Sequence, residues 1–142
     1  MDNIIIREYT NINMAQIAEL YNSVKWTNYT NNLHMLESAL KASLKILGAF
    51  DGDKLVGLIR VVGDGYSIIY IQDIIVLPEY QGRGIGKRLV CEIDALYSQV
   101  YQKVLLTDNK AQTKGFYENS GFSLSDKFNC AAFVKFNTKQ EK

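Results

Sequence analysis

The chain has 142 residues, of which 47% are hydrophobic and 22% charged, and its formal net charge is +1. That length suits a single domain, residues 1–142, able to bury roughly two-thirds of its unfolded surface without staples. The near-neutral balance argues against nucleic acid and membrane surfaces as general partners, because both call for a broad field of cations.

The opening "MDNIIIREYT" carries Asp2, no basic leader and an apolar run too short for a signal peptide or a membrane span, so the cytoplasm is the expected compartment. Cys91 and Cys130 form no CxxC pair and the only histidine is His34, which leaves no expected disulfide framework or metal site. "IIIREY" (4–9) reads as a first strand, and the Asn-rich segment after it caps a helix from about Met14 to Val24 with Met14, Ile17, Ala18, Leu20 and Tyr21 on its apolar face. "KWTNYTNN" (25–32) favours a loop, and Leu33, Leu36, Leu40 and Leu44 then mark a second helix. Strand-like runs punctuated by Asp51-Gly52 and Asp64-Gly65 follow, an antiparallel meander ending near Leu77. Ile85, Leu89, Ile93, Leu96 and Val100 recur at helical spacing over about 84–98, and "KVLLT" (103–107) is a short strand reached by a βαβ crossover. A final helix from Ala111 to Asn119 stops at Gly121, and two more strands are expected at 122–125 and 131–136 before the polar tail "NTKQEK".

"VLPEYQGRGIGKRL" (76–89) sets glycines and cations directly between a strand and a helix, which is where unpaired amides and a helix dipole favour an anion. A P-loop needs four residues between its first glycine and the closing Gly-Lys-[Ser/Thr]. Here Gly82 is too close to Gly86, and Arg88 stands in the hydroxyl position. A dinucleotide fingerprint fails as well, since Leu89 replaces the third glycine. A tight structural turn with no ligand is the plain alternative.

The pattern Gln81-x-x-Gly84-x-Gly86 after an apolar strand and "PEY" resembles the pyrophosphate-binding motif of the GNAT superfamily of N-acetyltransferases, and "GFYENSGF" (115–122) resembles that family's last helix. The two matches lie the family's distance apart and cover about 71–122. The resemblance implies an α/β (α+β) fold: a mixed, largely antiparallel sheet of about seven strands with a parallel, splayed central pair, flanked by four helices. It also implies acetyl-CoA (coenzyme A) as cofactor, with the backbone of Ile75, Val76 and Leu77 along its pantetheine arm. Gln81, Gly82, Arg83, Gly84, Ile85, Gly86 and Lys87 would surround its pyrophosphate, with Arg88 adding charge.

The reaction so implied is direct attack of a small-molecule primary amine on a thioester, with a backbone donor near Val76 for the developing oxyanion. Tyr117 matches the family's general acid, Phe116 packs beside it and Asn109 is a polar contact to the cofactor. Asp73, in an apolar strand near the splay, is the candidate base and Glu79 the second choice; an ion pair is the structural alternative for Asp73. Cys91 falls on the polar side of its helix with no base in its neighbourhood of sequence, which argues against an acyl-cysteine. Tyr21, Trp26 and Tyr29, with Phe128, are expected to wall the acceptor. Two other classes fit the residues: a coenzyme A binding regulator without catalysis, and an interaction module whose glycine turn holds nothing. A protein or peptide amine is the other acceptor class. The C-terminal strands are the expected edge of a homodimer.

Overall fold

The β-branched runs pair in the order in which they occur along the chain. In the computed structural model, which describes residues 3–137, β1 (Ile4–Glu8), β2 (Lys45–Asp51), β3 (Lys54–Gly63), β4 (Ile68–Val76) and β5 (Gln102–Leu105) form one sheet of order β1-β2-β3-β4-β5. The first three pairings are antiparallel, the second and third of them as the two Asp-Gly turns dictate, and β4 with β5 is parallel. Asp64 stiffens the second turn by accepting from the Tyr66, Ser67 and Ile68 amides and from the Ser67 hydroxyl. These four bonds hold its carboxyl well below the ordinary carboxylate range, the Ser67 hydroxyl contributing most.

The helices are α1 (Met14–Ser23), α2 (Thr27–Thr30), α3 (Leu33–Lys41), α4 (Ile85–Leu96) and α5 (Ala111–Glu118). Asn13 and Asn32 cap α1 and α3 by accepting first-turn amides, as Asn-rich connections are apt to do. From Leu55 to Val61 β3 is buried at every position, because α1 and α4 both pack on it and leave neither sheet face to water. Ile17, Leu20 and Tyr21 of α1 and Ile85, Leu89, Val90 and Ile93 of α4 supply the facing apolar surface. Gly57 allows α4 to sit close: a Cβ there would lie 3.4 Å from the Ile85 side chain.

Among the described residues the structure corrects the expected element count to five strands and five helices. The added helix is α2, a single turn inside the segment expected as loop, in which the Trp26 carbonyl accepts from the Tyr29 and Thr30 amides. The two late strands do not form. Ser125–Phe128 closes into a 3-10 turn instead, Asn129 takes φ 59°, and the Cys130 amide folds back onto the Ser125 carbonyl. A strand needs a ladder for its amides, and 131–136 has none among the described residues; Phe133 is 96% exposed. The strand basis for the expected homodimer edge is therefore lost. Residues 138–142, most of the expected polar tail, lie outside the described residues.

The chain divides into two compact units, Met1–Thr107 and Asp108–Lys142. The first holds the whole sheet; the second holds α5. Among the described residues no helix is long and apolar enough to cross a membrane, and no group of His, Cys, Asp and Glu is placed to hold a metal ion.

Candidate functional site

The sequence singled out the junction of β4 and α4, and its backbone bears the signs of an anion cradle. Gly82 and Gly84 stand at φ 81° and 80°, in the left-handed region that residues with a Cβ avoid, and the space above both is open. Gly84 is the N-cap of α4 and brings no side chain to its amides; the first helical bond runs from the Arg88 amide to the Gly84 carbonyl. The amides of Ile85, Gly86 and Lys87 thus begin a twelve-residue helix with no capping side chain, at the positive end of its dipole. These observations fit a diphosphate held by backbone donors.

Side chains around the junction divide into struts and exposed cations. Gln81 donates through Nε2 to the Val76 carbonyl at 3.0 Å, and Tyr80 donates to Asp51 Oδ2 at 2.6 Å, fastening the loop to the β2–β3 turn. Arg83 stacks over the Tyr80 ring at 4.7 Å and donates to the Glu79 carbonyl, while Lys54 pairs with Glu79 at 3.8 Å. Arg88 donates to the Ile4 carbonyl of β1 at 2.9 Å, so its head is turned to the sheet. Lys87 is exposed, and the Ile85 side chain is in the core, leaving its amide as what it offers.

The splay is visible in the registers. β4 follows β3 from Ile69 through Val76, but β5 follows β4 only from Ile68 to Ile71, so beyond Ile71 the β5 side of β4 has no strand on it. The Leu77 amide donates to Val56 of the β3 side at 2.9 Å, and Ile75 turns its carbonyl the same way, 3.2 Å from where a Cβ on Gly57 would be. Because backbone groups alternate along a strand, the N–H of Val76 faces the vacant edge, the direction in which its carbonyl meets Gln81. Of the three residues expected along this edge, Val76 presents its backbone to it, whereas Ile75 and Leu77 spend theirs on β3.

Asp73, Tyr21, Trp26 and Tyr29 come together on the other side of β4, and they bring Arg60 with them. Asp73 and Arg60 stand directly opposite on β4 and β3, both buried, with Arg60 Nε 2.7 Å from Asp73 Oδ2. Tyr21 donates to the same oxygen at 2.8 Å and Tyr29 to Oδ1 at 3.1 Å. Arg60 also donates to Ser43 Oγ, whose hydroxyl donates to the Ala39 carbonyl of α3, and its second terminal nitrogen lies 3.5 Å from the Tyr29 oxygen. The ion pair thereby ties α1, through Tyr21 on Asp73, and α2 and the end of α3, through Tyr29 and Ser43, to the sheet. Beside it the ladder is irregular: Gln72 has no partner on β3, and its Nε2 donates to Tyr29 at 3.1 Å.

The three aromatic rings pack on one another, with centroids 5.2 to 6.3 Å apart, so nothing lies between them. Tyr21 is fully buried; Trp26 and Tyr29 are half-buried and present a face outward. Burial, and next the Asp73 charge, raise both phenols above the ordinary tyrosine value, which keeps them as donors. Arg60, Gln72 and Ser43 were missed by sequence reasoning. A lone arginine in "LVGLIRVV" had been signal enough, since a cation inside a buried strand needs a partner.

In the second unit, Phe116 meets Tyr117 edge to face at 4.9 Å, and Phe122 packs on Tyr117 at 6.2 Å after Gly121, at φ 96°, turns the chain. Burial, and secondarily the Asp108 charge, push the Tyr117 phenol up to about 12. Asp108 accepts from the Lys110 amide at 2.9 Å, and Asn109 between them is exposed.

A model of the acetyltransferase (GNAT) domain matches residues 42–124. A GNAT-family acetyltransferase of Streptococcus pneumoniae is 40% identical, with a TM-score of 0.86, over 96% of this chain and 99% of its own. An uncharacterized N-acetyltransferase, ycf52-like, of Prochlorococcus marinus is 27% identical over 91% of this chain and 73% of its own. Aminoglycoside N-acetyltransferase AAC(6')-Iy, solved in complex with CoA, shares the fold at 14% identity, with a TM-score of 0.73 over 97% of each chain. With most of the sheet, the glycine junction and α5 inside the matched span, the chain belongs to the GNAT superfamily of N-acetyltransferases.

Proposed function

We propose that the chain, acting as one domain over residues 1–142, moves an acetyl group from acetyl-CoA to a primary amine of a small molecule by direct attack. The observation that carries this reading is the uncapped start of α4 behind two left-handed glycines with open space above them. The CoA in the aminoglycoside acetyltransferase of the same fold supports it.

Gly82, Gly84, Gly86 and the amides of Ile85 and Lys87 are assigned to the pyrophosphate, with Lys87 and Arg83 adding charge. Gln81 braces β4 where it meets this loop. Val76 is assigned the backbone contact along the vacant edge, and Ile75 and Leu77 hold that edge in place by bonding β3. Bound acetyl-CoA would supply an acyl thioester, whose C–S bond breaks as the amine nitrogen takes the acyl carbon and whose thiolate then needs a proton. The Val76 N–H is the donor we assign to the oxygen that gains charge. Tyr117 is assigned the acid role on its motif, and a phenol pushed up to about 12 keeps its proton throughout neutral pH. Phe116 and Phe122 hold that ring, and Asn109 is assigned a polar cofactor contact. Trp26 and Tyr29 are assigned the acceptor wall, and Tyr21, buried beneath them, supports it from behind.

Isothermal calorimetry with acetyl-CoA, followed by thiol release against a panel of small amines, tests the proposal. The expected result is one cofactor site and amine-dependent release. Absence of binding heat sinks the cofactor assignment, and binding without release for any amine leaves a coenzyme A binding domain instead.

A further inference from the structure

Asp73 was expected as the base, yet its surroundings suit another task. Both carboxylate oxygens are already occupied, by Arg60 Nε, by Tyr21 and by Tyr29, and a proton placed there would strip a buried guanidinium of its counter-charge. What the carboxylate and guanidinium do hold is α2. This turn has no capping side chain and no buried residue of its own. Its tether to the sheet is the Tyr29 hydroxyl, which donates to Asp73, accepts from Gln72 and lies within reach of Arg60, along with the packing of Tyr29 and Trp26 on Tyr21.

We infer that Arg60 and Asp73 are positioning residues: through the Tyr29 hydroxyl they set the aromatic face that receives the amine, and neither accepts its proton. The ammonium loses that proton to water, giving hydronium and the free amine that attacks. The inference rests on the proposed acceptor role of Trp26 and Tyr29. Arg60 suits the task because a planar fork reaches a carboxylate, a serine and a phenol at once, as an ammonium cannot.

Tyr29→Phe, Arg60→Lys and Asp73→Asn test it, the first chosen because it keeps the ring and removes only the hydroxyl. The expected result in each is an amine KM raised about tenfold with the acetyl-CoA KM unchanged, so that saturating amine restores most of the rate. The acid limb of the rate profile stays in place in Asp73→Asn. Trp26, the only tryptophan, reports directly on the same segment: its emission moves to the red and acrylamide quenches it more strongly, without any substrate. An unchanged amine KM in Tyr29→Phe overturns the inference. So does an Asp73→Asn protein whose lost rate no amine concentration restores, for that is how a base behaves. If the unaltered protein acetylates no amine of the panel, the proposed function fails, and the Trp26 emission alone decides the positioning: a shift supports it and no shift overturns it.

Discussion

The start of α4 and the hub beneath α2 lean on the same strand, β4, but they are made of different material. At α4 the donors are main-chain amides exposed by glycine, and the side chains nearby act mainly as struts. At the hub the backbone is committed to the β3–β4 ladder, irregular at Gln72, and the chemistry lies in five side chains from five parts of the chain: Tyr21, Tyr29, Ser43, Arg60 and Asp73. A site made of backbone is insensitive to most substitutions but demands glycine. A site made of side chains is sensitive at every member, because removing one leaves its partner buried and unsatisfied.

The comparison can be broken most forcefully at the ion pair. Asp73→Ala leaves the Arg60 guanidinium buried without its counter-charge and is expected to cost about 3–5 kcal/mol of stability, measured by urea unfolding. Equal stability of the variant would show that the hub is not the rigid anchor described above. Tyr117→Phe comes next, with kcat falling by about two orders of magnitude while acetyl-CoA affinity holds. The sign of its titration sharpens this prediction. A phenol raised to about 12 binds its proton more tightly when folded, so its share of stability is whole below about pH 10 and fades as pH climbs toward 12. Absorbance at 295 nm should show that late ionisation, and an onset near pH 10 would mean that the ring is not sheltered. The smallest effect is expected at the glycines. Gly82→Ala with Gly84→Ala forces two left-handed residues to carry a Cβ, at about 1 kcal/mol each, and should weaken acetyl-CoA binding about tenfold by calorimetry. Full affinity in that double variant would mean that the amides are not the cradle.

The same contrast explains what could be read in advance. Glycines, Asp-Gly turns and apolar periods are local signals, and they correctly placed the meander, α4, the parallel β5 and the junction between β4 and α4. Asp73, Tyr21 and Tyr29 were each named, yet the bonds joining them span 44 to 52 residues and involve Arg60, to which no motif pointed. Long-range pairing of that kind leaves no periodic trace. The late strands failed for a related reason: 131–136 has a strand's composition, but composition does not supply the neighbour a strand requires, and the turn closing on Cys130 was not legible in "SDKFNC".

Two of the sheet's four seams, β2 to β3 and β3 to β4, are closed by tight turns between adjacent segments, whereas β1 to β2 waits for three helices to be traversed and β4 to β5 for one. Loops so short cost little entropy to close, so the two hairpin seams should zip early, with the β1–β2 and parallel β4–β5 seams slower to gain protection from hydrogen exchange. One of these two later seams is the one that ends early at Ile71. A nascent chain would thus complete its β2-β3-β4 meander before the open edge of β4 beyond Ile71 takes shape.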